Sequence, residues 1–190
     1  MEKWRPGFRF AGWLGGALFA LGCSGDPEPE DTADPCALES PAVSIGDGEY
    51  TWAALSAGQE VVMVHGPQGG WHVLASIWTE NLGALVTIDY MITATDFEDY
   101  VIADDTYRVA MVTDDSCGGF YPGIYGYLEV GDLADGELDT PPEVLSYSNL
   151  QLSLTVTDTN ERSASNVISV VALPDPQDLD LVPGDTGVDE

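Results

Sequence analysis

The chain has 190 residues, 33 acidic and 5 basic, for a formal charge of −28 at pH 7. That balance excludes nucleic-acid binding, which rests on clustered cations that displace the counterions of a phosphate backbone. Hydrophobic residues make up 44% of the chain, too many for disorder throughout, and the length suits one domain.

Three of the basic residues, Lys3, Arg5 and Arg9, precede an apolar run from Phe10 to Leu21 that ends at Gly22 and Cys23. A basic start, an apolar middle and a small-residue end are the three parts of an export signal. The run is too short to cross a bilayer as a helix, which takes about 20 residues. Residues 1–22 are therefore a targeting segment outside the fold. Without them, 2 basic residues, Arg108 and Arg162, remain against 32 acidic ones.

Ala20-Leu21-Gly22-Cys23 resembles the lipobox of bacterial lipoproteins. The resemblance implies that the signal is cut before Cys23, whose thiol carries a diacylglyceryl group and whose new amino terminus is acylated. Such a protein is held on a membrane by its lipid without spanning it, since two or more acyl chains anchor stably where one does not. Ser24 after the cysteine implies the outer membrane over the inner. Ala20 stands where that family favours Leu. Ala20 and Gly22 also meet the small-residue rule of ordinary signal peptidase, which would release a soluble product. With Cys23 lipidated, Cys36 and Cys117 remain as an even pair, and a disulfide between them is the expectation in an oxidising periplasm. It would close a loop of about 80 residues and stabilise the fold by about 4 kcal/mol in the chain-entropy treatment.

Residues 23–35 form an acidic, proline-rich spacer with no apolar surface to bury. From residue 36 to 172 the pattern is that of strands: 60–64, 71–78, 84–93, 107–113, 150–156 and 166–171 are rich in β-branched and aromatic residues. Leu150, Leu152, Leu154 and Val156 alternate with Gln151, Ser153 and Thr155, which predicts a half-buried strand. Gly46-Asp47-Gly48, Gly66-Pro67-Gln68-Gly69-Gly70, Pro122-Gly123 and Asp158-Thr159-Asn160-Glu161 punctuate the runs as turns. Seven or more short strands ended by such turns predict an all-β fold, a single antiparallel immunoglobulin-like β-sandwich. Residues 173–190, with six acids, three prolines and no base, are expected to be a disordered acidic tail. The octet from His65 to His72 resembles a feature of uncharacterised exported β-sandwich domains of myxobacterial type, and no activity follows from that likeness.

Three groups of residues are candidate sites. His65 and His72 flank the Gly-rich loop, where a tight turn would bring both imidazoles to one rim and offer Zn²⁺ or Cu²⁺ two nitrogen ligands; the alternative is that His72 hydrogen-bonds backbone in the turn. Asp158, Asn160 and Glu161, and separately Asp114 and Asp115, offer oxygen ligands to Ca²⁺, though the twelve-position calcium loop is missing; the alternative is polar capping of a hairpin. Tyr121, Tyr125 and Tyr127 could present rings to an envelope protein or a glycan, or pack between the sheets with their hydroxyls at the edge. No G-x-S-x-G elbow, H-E-x-x-H helix or phosphate loop occurs. No enzyme and no cofactor is expected, and the sequence points to an envelope structural, adhesive or binding module, with divalent-ion binding as the alternative.

Overall fold

In the computed structural model the described residues are 39–113, 117–133 and 140–182. All belong to the second of the two units into which the chain divides, Ala33–Glu190. Ten strands account for most of them: β1 Ala42–Asp47, β2 Ala53–Ala54, β3 Gln59–His65, β4 Trp71–Glu80, β5 Leu85–Ala94, β6 Tyr100–Ala110, β7 Val112–Thr113, β8 Gly118–Tyr127, β9 Asn149–Asp158 and β10 Ser163–Pro174. One short helix, α1 Pro141–Leu145, precedes β9, and a 3-10 turn, Pro176–Leu181, follows β10. The fold is all-β.

Alternation decides which face each strand buries. Leu150, Leu152, Leu154 and Val156 of β9 are all 0% exposed, as the period-two pattern requires, and each contributes about 1.5–3 kcal/mol of burial. Val86, Ile88, Tyr90, Ile92 and Ala94 do the same on β5, and Val73, Ala75 and Ile77 on β4. The hydrogen-bonded path runs β2-β1-β4-β3-β10-β9-β5-β6, with β8 on the other edge of β4 and β7 beside β8. β1 and β3 share one edge of β4, β3 along Trp71–Val73 and β1 along Ser76–Glu80.

Contacts across the core show the sheet folded over on itself. A Cβ added at Gly126 of β8 would stand 2.8 Å from the Tyr90 ring of β5 and against the Ile92 side chain. Only glycine lets the two strands approach so closely. Asn166 Nδ2 on β10 donates to the Val43 carbonyl on β1 at 2.9 Å, and Tyr107 on β6 donates its hydroxyl to the Tyr125 carbonyl on β8.

Three details depart from the expected antiparallel sandwich with a disordered tail. The strands form one continuous hydrogen-bonded sheet where two were expected. β3 and β10 are parallel, with Val61 opposite Ala172 and Met63 opposite Pro174. Residues 173–182, expected in the tail, complete β10 and the 3-10 turn, where the Asp178 carboxylate is held by His65 Nδ1 and Trp71 Nε1. Residues 183–190 lie outside the described residues, as do the signal segment, Cys23, the spacer and Cys36.

Candidate functional site

The β3–β4 hairpin sets the geometry of the most distinctive region. Gly66 N–H donates to the Gly70 carbonyl at 2.9 Å and Gly69 N–H to the Gly66 carbonyl at 3.0 Å. Gly69 and Gly70 sit at φ 82° and 85°, a left-handed pair that side chains resist. The loop places His65 opposite Trp71 and Val64 opposite His72. Cross-strand partners share a face and neighbours along a strand do not, so His65 and His72 point to opposite faces of the sheet. The expected shared imidazole rim does not form.

His65 instead holds the C-terminal segment. Its Nδ1 lies 3.0 Å from Asp178 Oδ1 and its ring centroid 4.6 Å from that of Trp71. Trp71 Nε1 donates to Asp178 Oδ2 at 2.7 Å, and His65 N–H to Asp175 Oδ2 at 3.3 Å. Asp178 is 4% exposed.

On the other face, His72 is buried against Tyr125 at 4.9 Å between centroids and Tyr127 at 6.1 Å. The two tyrosine rings lie 6.0 Å apart and within 14° of parallel, on the one face that residues two apart on a strand share. Together with Gly66–Gly70 they line a cleft of about 320 Å³. Burial pulls the His72 pKa below the usual imidazole value, and the Glu49 carboxylate opposes this more weakly. The ring is therefore neutral at neutral pH and is held by its contacts with the two tyrosine rings. Tyr127 also borders a second cleft of about 410 Å³ whose walls carry Tyr100, Asp104, Asp105, Glu129 and Asp132. Asp105 accepts the Tyr127 N–H at 3.0 Å, and Asp132 the Tyr100 hydroxyl at 3.0 Å. Burial, followed by the Asp105 carboxylate, pushes the Tyr107 pKa up to about 12.

Tyr121 does not join this surface. Between it and Ile124, Pro122 and Gly123 oppose only Ser76 of β4, a bulge with Gly123 at φ 67°. The extra residue inverts the alternation, so Tyr121 stands opposite Ile77 and packs on the core.

Asp158 closes the β9–β10 hairpin. Its Oδ1 accepts the N–H groups of Asn160 at 2.8 Å and Arg162 at 3.0 Å. Oδ2 accepts from Gly83 N at 3.1 Å and Arg162 Nε at 2.9 Å, with Arg162 Nη2 at 2.8 Å. Burial pushes the carboxyl pKa up, but the hydrogen bonds from Arg162, Gly83 and Asn160 together outweigh it and hold it below the usual carboxylate value. The Asp158 carboxylate is committed to the chain, and Asn160 serves as its donor. Asp114 and Asp115 lie outside the described residues, among which no group of three or more His, Cys, Asp or Glu side chains is arranged to hold a metal ion. No helix among them is long and apolar enough to cross a membrane.

Of the three tyrosines that sequence reasoning singled out, Tyr125 and Tyr127 line the cleft and Tyr121 does not; His72, singled out as a partner of His65, lies beside the two tyrosines instead, and the Asp178 clasp and the acidic wall were missed. The clasp left no local signal, because Asp178 sits in a proline-rich acidic stretch indistinguishable from a solvated tail.

No protein-family model matches the chain. No curated protein matches it. Among solved structures, the CooA pilin subunit from enterotoxigenic Escherichia coli is similar at a TM-score of 0.33 and 12% identity, over 70% of this chain and 99% of that one. A likeness of that degree decides nothing about this chain.

Proposed function

We infer that the protein is an exported, lipid-anchored binding module of the bacterial envelope, non-catalytic, with Cys23 carrying the lipid at the outer membrane. The observation that carries the binding role is the concave aromatic surface of Tyr125, Tyr127 and His72 against the Gly66–Gly70 loop. Clefts lined by aromatic rings with a few polar groups are the usual form of a recognition site, and tyrosine is enriched at binding hot spots. The anchor rests on the lipobox-like residues Ala20–Cys23. A bridge from Cys36 to Cys117 belongs to the same reading, supported by Cys117 not being a free thiol.

Two measurements on the full-length chain test this. Cells fed labelled palmitate should label the wild-type protein and not Cys23→Ser; label missing from the first, or persisting in the second, overturns the anchor. The Cys23→Ser protein added back to isolated envelopes should bind them, and Tyr125→Ala/Tyr127→Ala should weaken that binding about tenfold, a typical loss for a pair of hot-spot residues. Equal binding by the two forms overturns the surface.

A further inference from the structure

Tyr127 is a ridge, 56% exposed, between two clefts of unlike character. On one side lie the near-parallel rings of Tyr125 and Tyr127 with neutral His72 against both. On the other lie four carboxylates, two of which, Asp105 and Asp132, accept hydrogen bonds from the Tyr127 N–H and the Tyr100 hydroxyl. Asp104 and Glu129 are exposed. Aromatic faces carry the negative end of the ring quadrupole and attract cations. The carboxylates add charge of the same sense along the cleft that Tyr127 borders. Across the chain the formal charge of −28 gathers cations and repels anions. A neutral glycan would use the rings and leave the carboxylates idle, and a phosphate-bearing ligand would be driven off.

We propose that the two clefts form one docking surface for a basic segment of a partner protein, with one lysine or arginine laid over Tyr125 and Tyr127 and the next received by Asp104 and Glu129. This rests on the reading of the Tyr125–Tyr127 surface as a binding site and names the chemistry of what it binds. The carboxylates alone would bind any polycation; the ring pair gives the surface a position and a register, because a cation gains from a ring only within about 6 Å of its centroid.

The test is calorimetric titration of the full-length chain in neutral detergent with a short Gly-Ser peptide carrying spaced lysines, beside the same peptide with glutamine in their place. The lysine peptide should bind and the glutamine peptide should not. Tyr125→Ala/Tyr127→Ala, which leaves the net charge unchanged, should weaken binding about tenfold, as should Asp104→Asn/Glu129→Gln, and the second pair should also flatten the dependence on salt. Unaltered melting temperatures identify these as binding effects; should the tyrosine pair prove unstable, Tyr127→Leu replaces it with the same expectation. Equal binding by wild type and the tyrosine variant overturns the proposal, since attraction would then be to bulk charge alone. So does a neutral cell-wall oligosaccharide that binds in a tyrosine-dependent way while the peptide gives no heat. If the lysine peptide fails but tyrosine-dependent envelope binding persists, the cationic partner falls and the surface stands; if both fail, the surface falls with it.

Discussion

Replacing Asp158 by alanine tests whether one internal carboxylate organises the end of the sheet. The side chain ties three backbone N–H groups and the Arg162 guanidinium into one knot between the β9–β10 hairpin and Gly83 ahead of β5. The hairpin needs that knot. Glu161 N–H bonds the Asp158 carbonyl at 3.1 Å and Asp158 N–H the Arg162 carbonyl at 2.9 Å, with Glu161 at φ 63°, where glycine is favoured. Alanine strands the donors at a carboxylate position that is 0% exposed, beside an Arg162 side chain 18% exposed. Removing one partner of a buried pair costs about 3–5 kcal/mol, and the partial exposure of Arg162 keeps the figure from rising further. At about 2–4 °C per kcal/mol for a domain of this size, the melting temperature should fall by about 6–20 °C, measured by circular dichroism at pH 7 and checked by the urea midpoint. Because the hydrogen bonds lower the folded carboxyl pKa, its stabilisation is present above the unfolded value of about 4 and is lost as pH falls through the folded one. The alanine variant should therefore lose less stability than wild type on acidification below that point. A fall of less than about 3 °C at pH 7, or unchanged acid sensitivity, would refute the reasoning.

Gly126→Ala should destabilise by about 1–3 kcal/mol, since the new methyl meets the Tyr90 ring and Ile92, and thermal unfolding checks it. Asp178→Ala leaves His65 Nδ1 and Trp71 Nε1 without their acceptor. Faster amide exchange should then appear in residues 172–182 while β5 and β9 stay protected, and uniform protection would contradict the clasp. For His72 the folded pKa is lowered by burial, so its contribution is present above about pH 6.5, the unfolded value, and is lost as pH falls through the folded pKa. His72→Gln should flatten the stability profile on the acid side of neutrality, and an identical profile would sink the assignment. Zn²⁺ titration should give the same heat for wild type, His65→Ala and His72→Ala, because the two imidazoles stand on opposite faces; a drop in both variants would show a shared site.

Local chemistry in the sequence fixes which residues turn and which face inward. The Leu150–Val156 alternation, the Gly69–Gly70 corner and the all-β class follow from period, side-chain volume and backbone freedom, which act over a few residues. Face assignments fail where one residue changes the count. Tyr121 and Tyr125 are four apart and would share a face on a regular strand, but the extra residue at Pro122–Gly123 turns Tyr121 to the core. His65 and His72 look like neighbours across a loop until the register, 65 opposite 71, separates them.

What the tertiary structure alone decided is which strands become neighbours and which acids become internal. The β-branched run 166–171 marks β10 as a strand but not that its free edge will take β3 in parallel, since pairing is settled by where the chain returns. Asp178 reads like the other acids of a highly anionic chain and is distinguished only by partners that folding brings to it, residues 65 and 71. Asp158 is marked in the sequence by its turn, but its internal role needs the Gly83 N–H, 75 residues away, beside the local donors of Asn160 and Arg162. A carboxylate's worth depends on what surrounds it in space, and neighbours along the chain do not carry that information.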